Sequence, residues 1–100
     1  KPELQQLKQS GKSVYIWGLS YRTLMQCAMS PLKDCRVKYY VDIDPRKQQL
    51  SIDGQTIVSP DVLRNAQADE AVIVGVGPSS GKMQEILAEM GFSGEVIVLN

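Results

Sequence analysis

The sequence predicts an α/β protein with three layers, in which helices cover both faces of a doubly wound, mainly parallel sheet. Three observations lead to this prediction. Four short runs of β-branched and aromatic residues predict strands, and two of them, over 13–17 and 70–75, are apolar on both faces, which is typical of strands inside a parallel sheet. Patterns with helical spacing lie between these runs. Strands and helices that alternate in this way imply right-handed parallel crossovers, with helices on both faces of the sheet.

The first half of the chain supplies two of the strands. In order, we predict a helix over 2–11, a strand over 13–17, a helix over 21–29, a strand over 36–42 and a capped turn over 44–49. Gly11 and Pro31 are natural helix ends, because glycine accepts a left-handed cap and proline cannot continue a helix. The first strand breaks at Gly18, and the second ends on the carboxylates of Asp42 and Asp44.

The second half completes the sheet. In order, we predict an Asp-Gly turn and a short strand over 52–58, a capped helix opened by 59–61, a strand over 70–75, a helix over 83–90 and a strand over 95–99. The apolar residues from Met83 to Met90 have helical spacing, and Gly91 is their natural terminator.

Composition confines the chain to one globular domain. It has 100 residues, 11 basic and 11 acidic side chains, and a formal net charge of zero. This balance provides no electrostatic basis for binding nucleic acid or an anionic membrane. No apolar run approaches the roughly 20 residues that span a bilayer. We therefore expect a single cytoplasmic domain, 1–100, without nucleic-acid or membrane partners, and its start at Lys1 suggests excision from a larger protein.

The absence of histidine removes the commonest general base and metal ligand. Cys27 and Cys35 match no metal-binding spacing. We predict no catalytic residue and no metal site in this domain, and we interpret both cysteines as reduced, buried, small apolar residues.

Three predicted loops mark the expected ligand site. Ligands of doubly wound sheets bind beyond the carboxyl ends of the strands, where the strand order reverses, and we expect this reversal next to the first strand. The loops over 18–23, 42–47 and 75–82 meet there.

The loop over 18–23 occupies the place of the dinucleotide fingerprint G-x-G-x-x-G but retains only Gly18. Ser20 and Thr23 replace the other glycines and narrow the loop. The helix amides, with Arg22, Ser20 and Thr23, are predicted to hold one phosphate or carboxylate. The alternative is a plain strand-to-helix turn with a solvated arginine.

The other two loops carry a carboxylate and a second glycine-rich turn. Asp42 lies about 24 residues beyond Gly18, near the spacing at which a carboxylate binds ribose hydroxyls. Alternatively, Asp42 or Asp44 caps the following turn. The segment 75–82 is rich in small residues, among them Gly75, Gly77 and Ser79, and it ends on Lys82. It resembles a phosphate cradle, although the ending of a P-loop is absent. Alternatively, these glycines only permit a tight turn.

Helical or strand spacing predicts that most large apolar residues belong to the core. This prediction covers Tyr15, Trp17, Tyr39, Tyr40, Met25, Met29, Met83 and Met90. Tyr21 lies in the first loop, where packing is favoured over stacking on a base or sugar.

The residues Asp42-x-x-Pro45-x-Lys47-Gln48 are followed by Ile52-Asp53-Gly54, Ile57-Val58 and Ser59-Pro60-x-x-Leu63. This pattern resembles the Rossmann-like C-terminal domain of sugar C-methyltransferases, and the similarity extends from about Gly11 to the C-terminus. The first loop departs from that family, which has a longer turn there. A similar arrangement occurs in the Rossmann-like leading domains of polysaccharide-biosynthesis nucleotide-sugar epimerases and dehydratases.

The first resemblance implies an accessory domain that holds a nucleotide-linked sugar, or another small anionic ligand, beside an adjacent catalytic domain. S-adenosylmethionine would bind in that separate domain, so this chain alone would hold no cofactor and would not be catalytic. The second resemblance implies an NAD(P)-binding-like domain of an epimerase or dehydratase. A third hypothesis is a non-catalytic assembly domain that exposes an apolar helix face such as that of Leu4 and Leu7. The predicted ligand-binding residues are Gly18, Ser20, Arg22, Asp42, Gly75, Gly77 and Ser79.

Overall fold

The computed structural model describes residues 2–100 and contains six strands and three α-helices within them. The strands are β1 (Ser13–Trp17), β2 (Arg36–Val41), β3 (Ser51–Ile52), β4 (Gln55–Thr56), β5 (Ala71–Val74) and β6 (Glu95–Val98). The helices are α1 (Pro2–Ser10), α2 (Tyr21–Ala28) and α3 (Ser80–Glu89), and 3₁₀ turns cover Pro31–Asp34, Lys47–Gln49 and Pro60–Asn65. No helix in the described part of the chain is both long and apolar enough to cross a membrane.

Four strands form one parallel sheet in the order β2-β1-β5-β6. The predicted α/β class with a mainly parallel, Rossmann-like sheet is confirmed. After β1, the next strand of this sheet, β2, lies on one side of β1. The later strands β5 and β6 lie on the other side of β1, in that order. The strand order therefore reverses between β1 and β5, next to the first strand, as the sequence predicts.

The two faces of the sheet carry separate cores, because successive side chains of a strand point to opposite faces. One face packs against α1 and the segments flanking α2, and its core includes Leu4, Leu7, Val14, Ile16, Leu32 and Ile73. The other face packs against α3 and the turn Pro60–Asn65, and its core includes Tyr15, Trp17, Leu63, Val72, Met83 and Leu87. These two layers of helices enclose the sheet.

Helix α2 differs from its prediction. Met25 and Met29 were expected in the core, but they are 41% and 76% exposed. Tyr21, expected to pack, is also 76% exposed. Thr23 is the one residue of α2 that is fully buried and Cys27 is half-buried, while Leu19 before the helix and the 3₁₀ turn after it fill the core.

Helix α1 also differs from its prediction, because its apolar residues are more buried than one of the hypotheses requires. Leu4 and Leu7, suggested as an exposed assembly face, are 4% and 2% exposed and belong to the core. Their three-residue spacing places both on the face of α1 that packs on the sheet. The other core predictions hold for Tyr15, Trp17 and Tyr40, which are buried.

The segment after β2 contains shorter strands than the sequence predicts. The Asp-Gly turn joins β3 and β4, with Asp53 and Gly54 both at positive φ. Val58 belongs to no strand and makes one parallel bridge to Val41. The capped helix predicted at 59–61 is a 3₁₀ helix, with Ser59 Oγ accepting a hydrogen bond from the amide of Asp61.

The two cysteines are free thiols and are half-buried. Burial raises the pKa of the Cys27 thiol to about 11. It therefore stays protonated at neutral pH and acts as a small apolar side chain.

Glu70, just before β5, is the centre of a buried polar cluster. Its Oε1 accepts hydrogen bonds from Tyr15 Oη (3.1 Å) and from the amide of Gln67 (2.8 Å). Its Oε2 lies 2.9 Å from Lys38 Nζ. Burial favours the neutral carboxyl, but the Gln67, Lys38 and Tyr15 donors outweigh it, so the pKa of Glu70 is lowered.

We expect Glu70→Gln to destabilise the domain at pH 6 by about 1–2 kcal/mol, because the amide replaces a charged acceptor. A lowered folded-state pKa gives stability that is complete above the unfolded value near 4.5 and is lost as pH falls through the folded value. The difference in the free energy of unfolding between wild type and variant, measured by urea unfolding, should therefore shrink from pH 6 to pH 3. A difference that stays constant with pH would contradict this account.

Candidate functional site

A cleft of about 300 Å³ opens where the strand order reverses, at the carboxyl ends of the sheet strands. Six of the seven predicted ligand residues line it: Gly18, Ser20, Asp42, Gly75, Gly77 and Ser79. The seventh, Arg22, lies exposed on α2 and is not part of the lining. The fold therefore brings the three predicted loops together, since strands of a parallel sheet end at one edge.

The loops after β1 and β5 approach each other closely at Gly75. Its amide donates to the carbonyl oxygen of Trp17 at 2.7 Å. A Cβ at this position would collide with the carbonyl oxygen of Gly18 and lie 2.6 Å from Thr23 Oγ1. Glycine at this position permits the close packing of the two loops that form the cleft floor.

Ser20 and Thr23 join these loops through their hydroxyl groups. Ser20 Oγ caps α2 by accepting from the amide of Thr23, and it lies 2.9 Å from the carbonyl oxygen of Val76, to which it donates. Thr23 is completely buried, and its Oγ1 accepts from the amide of Val76 at 2.8 Å. The start of α2 is therefore capped from within the protein.

Asp42 connects the loop after β2 to the loop after β1. One carboxylate oxygen accepts from the amide of Leu19 at 2.8 Å, and the other accepts from the amide of Asp44 at 2.9 Å. Lys47 Nζ lies 3.5 Å from the Asp42 carboxylate and donates to the carbonyl oxygen of Leu19 at 3.0 Å. The Asp42–Lys47 pair thus holds both backbone polar groups of Leu19. The capping alternative for Asp42 is confirmed by its bond to Asp44, while a ribose contact stays a prediction.

The side chain of Asp44, unlike its amide, takes no part in these bonds. It pairs with Arg46, whose side chain is 91% exposed. The side-chain hydrogen bond from Arg46, aided by its backbone amide, lowers the pKa of Asp44. The pair stabilises the turn after β2 and adds no group to the cleft lining.

The start of α3 differs from that of α2. Its N-cap residue, Ser79, makes no side-chain capping hydrogen bond. Ser79, Ser80 and Lys82 all line the cleft. This end therefore carries the positive end of a helix dipole, two hydroxyl groups and the ammonium group of Lys82, which lies 3.7 Å from the carboxylate of Glu85.

An apolar wall faces these polar groups. Trp17, Val76, Met83 and Ile86 line the cleft, and Ile43 stands at its rim with 75% of its surface exposed. Sequence reasoning missed Lys47, Ile43 and Met83 as parts of the site. The position of Lys47 and Ile43 beside Asp42, within a predicted site loop, was the available signal.

The cleft can thus bind a molecule that has an apolar or planar part and an anionic part.

No family model, no curated protein and no solved structure matches this chain.

Proposed function

We propose that this chain is a substrate-binding module that holds a nucleotide-linked sugar for an adjacent catalytic domain. The observation that carries the proposal is the cleft between the β1 and β5 loops, which combines an apolar wall with Lys47 and Lys82. A base or sugar ring fits the wall, and a phosphate fits the cationic rim. At about 300 Å³ the cleft is at the small end for ligand sites, so it accommodates part of such a molecule.

The hydrogen bonds within the protein indicate that the anionic group of the ligand binds at the α3 side of the cleft. The amides of Leu19 and Thr23 already donate to Asp42 and Ser20. At the start of α3, by contrast, the Ser79 hydroxyl makes no capping hydrogen bond, and Lys82 is 68% exposed and paired with Glu85, whose side chain is 67% exposed. A phosphate here would gain the helix dipole and a charge-assisted hydrogen bond.

The parent protein in this proposal is an S-adenosylmethionine-dependent sugar methyltransferase, whose separate domain binds the cofactor and transfers the methyl group. This step rests on the sequence resemblance of residues 42–63. The chain described here binds and orients the nucleotide-linked sugar, and none of its residues acts as a catalyst.

The test is an NMR titration of backbone amides with a UDP-sugar, a dTDP-sugar, NAD and S-adenosylmethionine, each added separately. We expect a nucleotide-sugar to shift Ile43, Gly77 and Lys82 strongly and Leu19 weakly. Lys82→Gln should weaken this binding about 3- to 10-fold, because one charge-assisted hydrogen bond is lost.

The matched control is Lys12→Gln, which removes a lysine that precedes β1 and therefore lies at the opposite edge of the sheet. It should leave the affinity unchanged. Shifts with NAD alone would favour the epimerase or dehydratase alternative. No shifts with any of the four compounds would contradict the proposal.

A further inference from the structure

Helix α2 carries a continuous apolar stripe that faces solvent. The stripe consists of Tyr21, Leu24, Met25, Ala28 and Met29, whose spacing places them on one side of the helix. Tyr21 and Met29 are each 76% exposed, Met25 is 41% exposed and Leu24 is 36% exposed. An amphipathic helix normally turns such a face toward a core, and in the described residues no element covers this one.

The stripe forms a ridge between two grooves. On one side, Leu24 and Ala28 border a groove of about 470 Å³ that continues to Leu32 and Ile52. On the other side, Met25 and Met29 border a groove of about 410 Å³ that continues to Leu4. Both grooves are mainly apolar, with polar groups from Lys33, Asp53 and Gln55 in the first and from Gln26, Ser30 and Asn100 in the second. An apolar ridge between two such grooves is complementary to a second copy of itself, as in ridges-into-grooves helix packing.

The exposed apolar area of the stripe is similar to the apolar area that one partner buries in a standard protein interface. Taking about 200 Å² for a fully exposed large side chain, the four exposed fractions above correspond to roughly 450 Å². A standard interface buries about 800 Å² per partner, and a little over half of that surface is apolar. The stripe alone supplies that apolar share.

Charge also permits contact between copies. The stripe contains no ionisable group except the phenol of Tyr21, and the chain has a formal net charge of zero. Two copies therefore approach without net repulsion.

We propose that the stripe is the interface of a two-fold symmetric dimer, in which α2 of one copy packs antiparallel on α2 of the other. A two-fold interface is self-complementary, so the middle of the helix lies on the axis. Met25 then meets its own counterpart, and Tyr21 of each copy meets Met29 of the other in a sulfur–aromatic contact. The stripe residues do not line the candidate ligand cleft, so dimerisation is independent of the proposed function.

The first measurement is the solution mass of the wild-type chain by light scattering, from micromolar to near-millimolar concentration, without ligand. We expect the mass to rise from 11.1 kDa toward twice that value. A chain that stays monomeric at the highest concentration would overturn the proposal.

Two charge variants test the antiparallel pairing. Met29→Glu and Tyr21→Lys should each weaken the dimer at least about 10-fold, because each places a charge against an apolar partner. An equimolar mixture of the two should recover a mixed dimer, since Glu at 29 then meets Lys at 21. Both positions are exposed, so thermal unfolding should show that each variant folds.

The control is Leu50→Glu, which changes a 58% exposed apolar residue away from the stripe. It should leave the dimer intact. A dimer that resists both stripe variants, or that the control disrupts equally, would show that another surface is responsible. Disruption by the single variants without recovery in the mixture would rule out the antiparallel pairing.

Discussion

Gly75→Ala is expected to lower the free energy of unfolding by about 3 kcal/mol. Its Cβ would meet the carbonyl oxygen of Gly18, with Thr23 Oγ1 at 2.6 Å and the carbonyl oxygen of Trp17 at 3.0 Å. Two of these three atoms belong to the backbone, so no rotamer change relieves the overlap. The β1 and β5 loops must separate, and the hydrogen bonds of Ser20 and Thr23 to Val76 stretch with them.

The matched control is Gly81→Ala in the first turn of α3. A Cβ at Gly81 meets nothing within 4 Å, and alanine favours the helix by up to about 1 kcal/mol. Urea unfolding of both variants should therefore give changes of opposite sign. If Gly75→Ala proved as harmless as Gly81→Ala, the close approach of the two loops would not limit stability.

The fold was predictable because the residue pattern of each strand indicates which of its faces are buried. Residues 71–74 are apolar without alternation, which is typical of a strand buried on both faces, and the structure buries all four. Once the strands and helices alternate, right-handed connections bring the carboxyl ends and their loops to one edge. The meeting of Gly18, Asp42 and Gly75 in one cleft therefore followed from the sequence.

The bonds within the cleft could not be predicted in this way. Asp42 was equally compatible with a ribose contact and with a cap, because the sequence does not reveal that the Leu19 amide lies 2.8 Å from its carboxylate. Similarly, Ser20 and Thr23 were assigned to an anion, whereas their hydroxyls bond to Val76 across the loop interface. Such bonds join residues far apart in the chain and depend on the final packing.

Helix α2 shows the limit of periodicity. Its spacing identifies an apolar face correctly, but spacing does not say what covers that face. Leu19 and Leu32 fill the adjacent core, so Met25 and Met29 remain outside. The same pattern that predicts a core contact is therefore also the pattern of a helix that docks on a partner.

Asp42→Ala is expected to lower the free energy of unfolding by about 2–4 kcal/mol. Asp42 is only 7% exposed, and the substitution leaves the amides of Leu19 and Asp44 without their acceptor. It also leaves Lys47 without its carboxylate. Asp42→Asn should lose less, because its single amide oxygen can still accept from Leu19.

The control for this prediction is Asp44→Ala, in the same turn. Asp44 pairs with an arginine that is 91% exposed, so its loss should cost clearly less than the loss of Asp42. Hydrogen exchange provides a second readout, since Asp42→Ala should speed exchange at the Leu19 amide and Asp44→Ala should not. Equal losses of stability in the two variants, with slow exchange at Leu19 in both, would mean that the Asp42–Lys47 pair does not hold the first loop. If instead Leu19 is released only in Asp42→Ala, this carboxylate acts by positioning the loop that borders the cleft, and any loss of ligand affinity in that variant is an indirect effect of the loop.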